Sequence, residues 1–112
     1  MQKNALQEKP NSGILDDAHL SRQTMGDGQL ADEILGIFMR QCENCVQSLS
    51  SPIADTQAIE IAHLMKGCAK SVGAWQLAQW AKIVEENPVN QDGLNRLSQS
   101  CVEMISYLKT RR

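Results

Sequence analysis

From Gln29 to Ser50 the apolar residues Leu30, Ile34, Ile37, Phe38, Cys42, Cys45, Val46 and Leu49 recur at intervals of three and four. That is the period of an amphipathic α-helix, and a stripe of this length needs a partner surface to cover it. A chain of 112 residues has room for one such core and not for two. Aromatic residues make up only 4% of it and β-branched runs are almost absent, which turns the composition away from sheet. The partners available to the stripe are therefore other helices.

"SSPIAD" closes the long helix, with Pro52 stopping it and Asp55 placed to cap the next. The following helix is expected over 56–72 and ends at Gly73, a residue suited to a helix terminus or tight turn. Another runs from Ala74 to near Asn87-Pro88. The last carries Leu94, Leu97, Cys101, Met104, Ile105 and Leu108 in register up to the basic "KTRR", where cations suit the negative end of the helix dipole. Upstream, Asp16 can cap a short helix within "LDDAHLSRQTM", which ends at the Gly26-Asp27-Gly28 break. Residues 1–13 have little to bury and read as a flexible leader, which leaves a single domain over 14–112. The expected fold is all-α, an antiparallel four-helix bundle with a short additional N-terminal helix. A core of this kind closes within one chain, so a monomer is expected.

The formal net charge of -2 offers no basic footprint for nucleic acid. No apolar run approaches the roughly 20 residues that span a bilayer, and "MQKNALQEKPNSG" lacks the apolar core of a secretory signal. These features point to a cytoplasmic protein without a membrane partner, free-standing since it begins at Met1 with its own leader. Cys42, Cys45, Cys68 and Cys101 are then expected to stay reduced and to serve as small buried hydrophobes. Cys42-x-x-Cys45 with Cys101 offers a competing metal or redox reading, although a four-ligand zinc site would require a remote partner and an opened core.

The chemistry gathers in "EIAHLMKGCAKSVGAWQL", Glu60 to Leu77. On a helical wheel Ala58, Ile61, Met65, Cys68 and Val72 share one side, the expected core face, and His63 lies opposite with Ile59, Lys66, Gly67 and Lys70. A glycine inside a helix costs about 1 kcal/mol relative to alanine. Placed four residues after His63, Gly67 removes the side chain that would crowd the imidazole. Lys66 adds a positive charge on the same face and Lys70 extends it, although a solvated surface accounts for Lys70 equally well. Room and charge together suit a histidine that meets a large anionic group such as a phosphoryl.

Gly73 turns the chain between two antiparallel helices. His63 precedes it by ten residues and Glu85 follows it by twelve, so both stand roughly 15 to 18 Å from the turn. Glu85 falls at the edge of the side defined by Ala74, Leu77, Ala81 and Val84, where it can lean towards the histidine. A carboxylate accepting from one ring N–H fixes the tautomer and leaves the other nitrogen as a nucleophile. Glu86 would take that role if the register shifted by one. Ile59, pointing outward, and Leu64, at the boundary, form an apolar rim for docking, with His19 and Leu20 of the first helix near enough to contribute. Trp75 is expected to cover the bundle end and Trp80 to join the core.

With His63, Lys66, Gly67, Gly73, Ala74 and Leu77 in place, "AHLMKGCAKSVGAWQL" resembles the signature around the phosphoacceptor of histidine-containing phosphotransfer (HPt) domains. The likeness extends over the whole chain in architecture. It implies a phosphorelay carrier: His63 receives a phosphoryl group on its distal nitrogen from a receiver domain of a hybrid sensor kinase and passes it to the aspartate of a response regulator. The resemblance makes Lys66 the phosphoryl-stabilising cation, Gly67 the clearance position and Glu85 the partner of the proximal nitrogen, while Cys68 stands where small residues are common. It also implies a carrier rather than an enzyme, with no cofactor in this chain and Mg²⁺ supplied by the receiver. The chain is too short for an ATP-binding kinase domain and has no Gly-rich phosphate loop. A bundle that docks on receivers without carrying phosphate is the alternative.

Overall fold

The computed structural model describes residues 14–111, and the leader expected over 1–13 lies outside them. Five helices follow in order: α1 (Asp17–Gln23), α2 (Gly28–Leu49), α3 (Asp55–Val72), α4 (Trp75–Glu86) and α5 (Gln91–Arg111). Among the described residues every regular element is a helix. α2 and α4 each pack against both α3 and α5, so the four long helices form a closed ring, and α1 lies across α3 and α2.

Side chains that answer the unpaired N–H groups of each first turn set most of the helix starts. Asp16 Oδ1 accepts from the His19 N–H at 3.0 Å, Asp27 Oδ1 from Leu30 at 3.1 Å and Asn90 Oδ1 from Gly93 at 3.2 Å. α3 departs from expectation. Its N-cap is Ala54, in extended backbone, and Asp55 is the first helical residue rather than the cap. There its charge faces the positive end of the helix, while Gln57 Oε1 accepts from the Ala54 N–H at 3.2 Å.

The periodicity of α2 and α5 translates into burial for most of the stripe: Leu35, Phe38, Cys42 and Cys45 face Leu97, Cys101, Met104 and Leu108, whereas Leu30 and Ile37, expected in the α2 stripe, are exposed and Leu35, outside it, is buried. In α3 the buried row is Ala58, Ala62, Met65, Ala69 and Val72, with Ile61 and Cys68 only partly covered. The larger side chains drew the expected stripe about 40° too far round the helix. What seats α3 on α4 is a seam of small residues, Ala62 and Ala69 beside Ala74, Ala78 and Ala81, which lets two backbones approach closely. Trp80 also differs from expectation. It is only partly buried, and the Arg96 guanidinium lies 5.3 Å above its ring. Leu20, expected near a docking rim, is a core residue at 2% exposure.

Gly73 ends α3 at φ 85°, the left-handed conformation, with Ala74 N–H on Ala69 O at 2.8 Å and Gly73 N–H on Lys70 O at 3.3 Å. The same residue carries α1: its carbonyl accepts from the Asp16 N–H at 3.0 Å. Asp16 Oδ2 in turn accepts from Trp75 Nε1 at 3.0 Å, and the His19 ring meets Trp75 edge-on at 4.8 Å. Trp75 thus covers the bundle end, as its place on α4 suggested. At the same end of α1, Arg111 of α5 pairs with Asp17, its first residue, at 2.8 Å.

A Cβ at Gly73 would lie 2.9 Å from both Cβ and the carbonyl oxygen of Asp16, neither of them a flexible group. Gly73→Ala therefore combines the left-handed penalty with displacement of α1, and should destabilise the domain by about 2–4 kcal/mol. Chemical denaturation followed by tryptophan fluorescence measures this. A loss well below 1 kcal/mol would show that the contact between α1 and the turn is not a structural constraint.

Candidate functional site

His63 and Lys66 reach the site from α3 and Glu85 reaches it from α4, brought to one height by the short turn at Gly73. Glu85 Oε2 lies 2.7 Å from His63 Nδ1, and Glu85 Oε1 accepts from Lys66 Nζ at 2.6 Å. The exposed Glu86 is not part of the cluster. Side-chain exposure is 72% for His63, 25% for Lys66 and 22% for Glu85, so an open imidazole stands on a partly covered ion pair. The hydrogen bond from Lys66, then that from His63, hold the Glu85 carboxyl below the usual glutamate range, against a smaller opposing effect of desolvation.

An ionised carboxylate can only accept. With the imidazole neutral, Nδ1 must therefore carry the proton, and Nε2 keeps its lone pair on the exposed side of the ring. Around the ring the surface is open: a Cβ at Gly67 would meet nothing within 4 Å. Lys70 is exposed on the same face and forms no ion pair among the described residues.

Ile59 and Leu64 are exposed, at 37% and 50%. Leu64 lies further out than its expected boundary position, for the same reason that the core row is rotated. His19 is not brought to this cluster. It packs against Trp75 at the bundle end, with its Nε2 enclosed and without a hydrogen-bond partner among the described residues. Trp75 precedes Glu85 by ten residues, about 15 Å along α4.

The link from Lys66 to Glu85 is what sequence reasoning missed. With the true burial axis through Ala62 and Ala69, Lys66 stands at the α4 edge of α3 rather than on its outer face. The signal was the run of alanines, small but more deeply buried than Ile61.

The four cysteines are free, with Cys42, Cys45 and Cys101 buried. The hydrogen bond with Cys101, together with burial, pushes the Cys45 thiol far up, away from the thiolate form that reacts or binds metal. Among the described residues no group of three or more His, Cys, Asp and Glu side chains is arranged to hold a metal ion. No helix among them is long and apolar enough to cross a membrane.

A family model described as "Hpt domain" matches residues 33–111, a span that includes His63, Lys66, Gly67 and Glu85. No curated protein matches the chain, and no solved structure does.

The ion pair has a pH signature. Because the folded Glu85 carboxyl is depressed, its interactions are fully present above the ordinary glutamate range and are lost as pH falls through the lower folded value. Carbon-detected NMR titration should place the Glu85 midpoint below that of an unpaired glutamate. His63→Gln should leave most of the depression in place, because Lys66 is its larger cause. A midpoint at or above the ordinary range would contradict the arrangement.

Proposed function

The chain belongs to the Hpt domain family, phosphotransfer carriers of two-component signalling that interact with receiver domains, and from that premise we propose that His63 is its phosphoacceptor. The observation that carries this reading is the exposed imidazole whose Nδ1, not Nε2, is engaged by a carboxylate. In the proposed step the Nε2 lone pair attacks the phosphorus of a receiver's aspartyl phosphate. The N–P bond forms as the acyl P–O bond breaks, and the aspartate leaves as a carboxylate with the bonding pair. The Nδ1 proton stays where it is, and Glu85 balances the positive charge that the phosphorylated ring acquires. Delivery to a second receiver is the same exchange in reverse, with that receiver's aspartate as nucleophile.

Mg²⁺ in this scheme belongs to the receiver, where it offsets phosphoryl charge during transfer. Lys66 and Lys70 add positive potential beside the ring, with Lys66 the nearer in sequence and Lys70 one turn further on. Ile59 and Leu64 supply apolar contact area to a docked receiver. Gly67 provides clearance, which its empty surroundings support.

Incubation with a phosphorylated receiver and Mg²⁺ should place acid-labile phosphate on the wild type and none on His63→Gln. Failure of any receiver in a broad panel to label His63 would reject the carrier reading. Receiver binding retained without label would point instead to a docking adaptor. Gly67→Ala separates structure from function. It should leave folding intact or raise stability by up to about 1 kcal/mol, because alanine is the better helix former and nothing lies within contact distance. It should also slow transfer at least roughly tenfold through obstruction of a close approach. Unchanged transfer would remove Gly67 from the site.

A further inference from the structure

We propose that the surface around His63 carries a charge polarity that sets the direction in which a receiver docks: lysines on the side of the Gly73 turn meet acidic side chains of the receiver, and glutamates on the far side meet basic ones. This rests on the carrier reading of His63 and goes beyond it by naming the chemistry of the receiver's surface. Along α3, Lys70 lies seven residues from His63 towards the turn, and Glu60 lies three residues the other way. The antiparallel α4 repeats the order. Lys82 stands three residues nearer the turn than Glu85, and Glu86 one residue further from it. On the helical wheel Lys70 returns to within about 20° of His63 and Glu60 to within about 60°, so the three share one open face, and Glu60 and Lys70 are roughly 15 Å apart along it.

All four of these side chains are exposed, and none forms an ion pair among the described residues. Lys66 and Glu85 offset each other in their own pair, which leaves Lys70 and Lys82 as the free cations on one side of the ring and Glu60 and Glu86 as the free anions on the other. Two charges of each sign cancel, and the chain as a whole carries a formal charge of -2, so the surface is not built for attraction by net charge. What remains is direction. The apolar contacts offered by Ile59 and Leu64 have no preferred orientation of their own, and by themselves they accept a receiver turned end for end. Charges at the rim of an interface add little affinity, but when complementary they steer the approach, fix the register and penalise the reversed arrangement through like-charge contacts.

Steady-state phosphotransfer to the full-length chain tests this, with the phosphorylated receiver that labels His63 fastest as donor, at about 0.02 M and about 0.5 M salt. At low salt Lys82→Glu and Glu60→Lys should each raise KM about fivefold, and the two together should raise it further. At high salt, where screening shortens to a few ångströms, all variants should come within about twofold of the wild type. The two reversals move the net charge in opposite directions, which separates polarity from overall attraction. If one variant gains affinity while the other loses it, the receiver responds to net charge and the proposal is overturned. KM values that ignore both substitutions, losses that persist at high salt, or a loss confined to kcat overturn it equally. Circular dichroism of each variant guards against unfolding. A wild type that no receiver labels rejects the carrier reading and this proposal with it, whereas a labelled wild type whose KM is blind to these charges rejects this proposal alone.

Discussion

Gly73 leaves α3 in a conformation that costs other L-residues roughly 1–2 kcal/mol, and the placement of the site follows from that turn. The helix is stopped by satisfying its last carbonyls, α4 starts after only two intervening residues, Gly73 and Ala74, and the two axes are forced antiparallel. Two helices that reverse so tightly keep a fixed register along their shared seam. A residue ten positions before the turn must then lie close in height to one twelve positions after it, as His63 and Glu85 do. The alanines along the seam set the remaining dimension by letting the backbones come close enough for one carboxylate to span them. The Gly73 carbonyl also receives α1, so the element that covers the bundle end is held by the same residue that aligns the site.

The polar cluster has little to do with folding stability. Ion pairs at this level of exposure contribute little, since solvent and salt screen them and two long side chains lose rotamer freedom. Its consequence is directional. A carboxylate between an ammonium and an imidazole has both oxygens occupied, which leaves the ring one neutral arrangement. Burial increases from His63 to the ion pair beneath it, so the imidazole is open while the carboxylate and ammonium that flank it are partly shielded from water. Buried cysteines and small aliphatic side chains fill the interior behind this surface.

Much of this was legible from residue spacing. The three-and-four pattern of α2 and α5 located both helices and most of their buried residues, and the Gly73 symmetry selected Glu85 as the partner of His63. The misplaced residues of α3 and α4 share one cause. Ranking side chains by size placed Ile61, Cys68 and Trp80 in the core, whereas the α3–α4 contact is set by how closely backbones pack, which favours Ala62 and Ala69. That error moved the burial axis, drew Leu64 inward and hid the approach of Lys66 to Glu85. Asp55 failed for a different reason: an acidic residue near a helix start can cap it or occupy its first turn, and the choice depends on the backbone of Ala54. His19 was placed near the site by its helix alone. No local pattern in the sequence shows that α1 would be drawn to the opposite end by the carbonyl of Gly73.

Gly67 sharpens what the fold does not explain. Glycine at Gly73 is required by its backbone and by Asp16 pressed against it; glycine at Gly67 is required by neither, since its backbone is helical and a methyl group there would touch nothing. Alanine would stabilise the helix by about 1 kcal/mol. Under the proposed function, a residue that costs stability and serves no contact within the chain answers to a docked surface that approaches the α3 backbone more closely than a Cβ allows. The empty position lies one turn from His63, on the face that the ion pair leaves open. The energetic penalty at Gly67 and the open imidazole of His63 would then serve the same proposed event, the arrival of a receiver over this turn of α3.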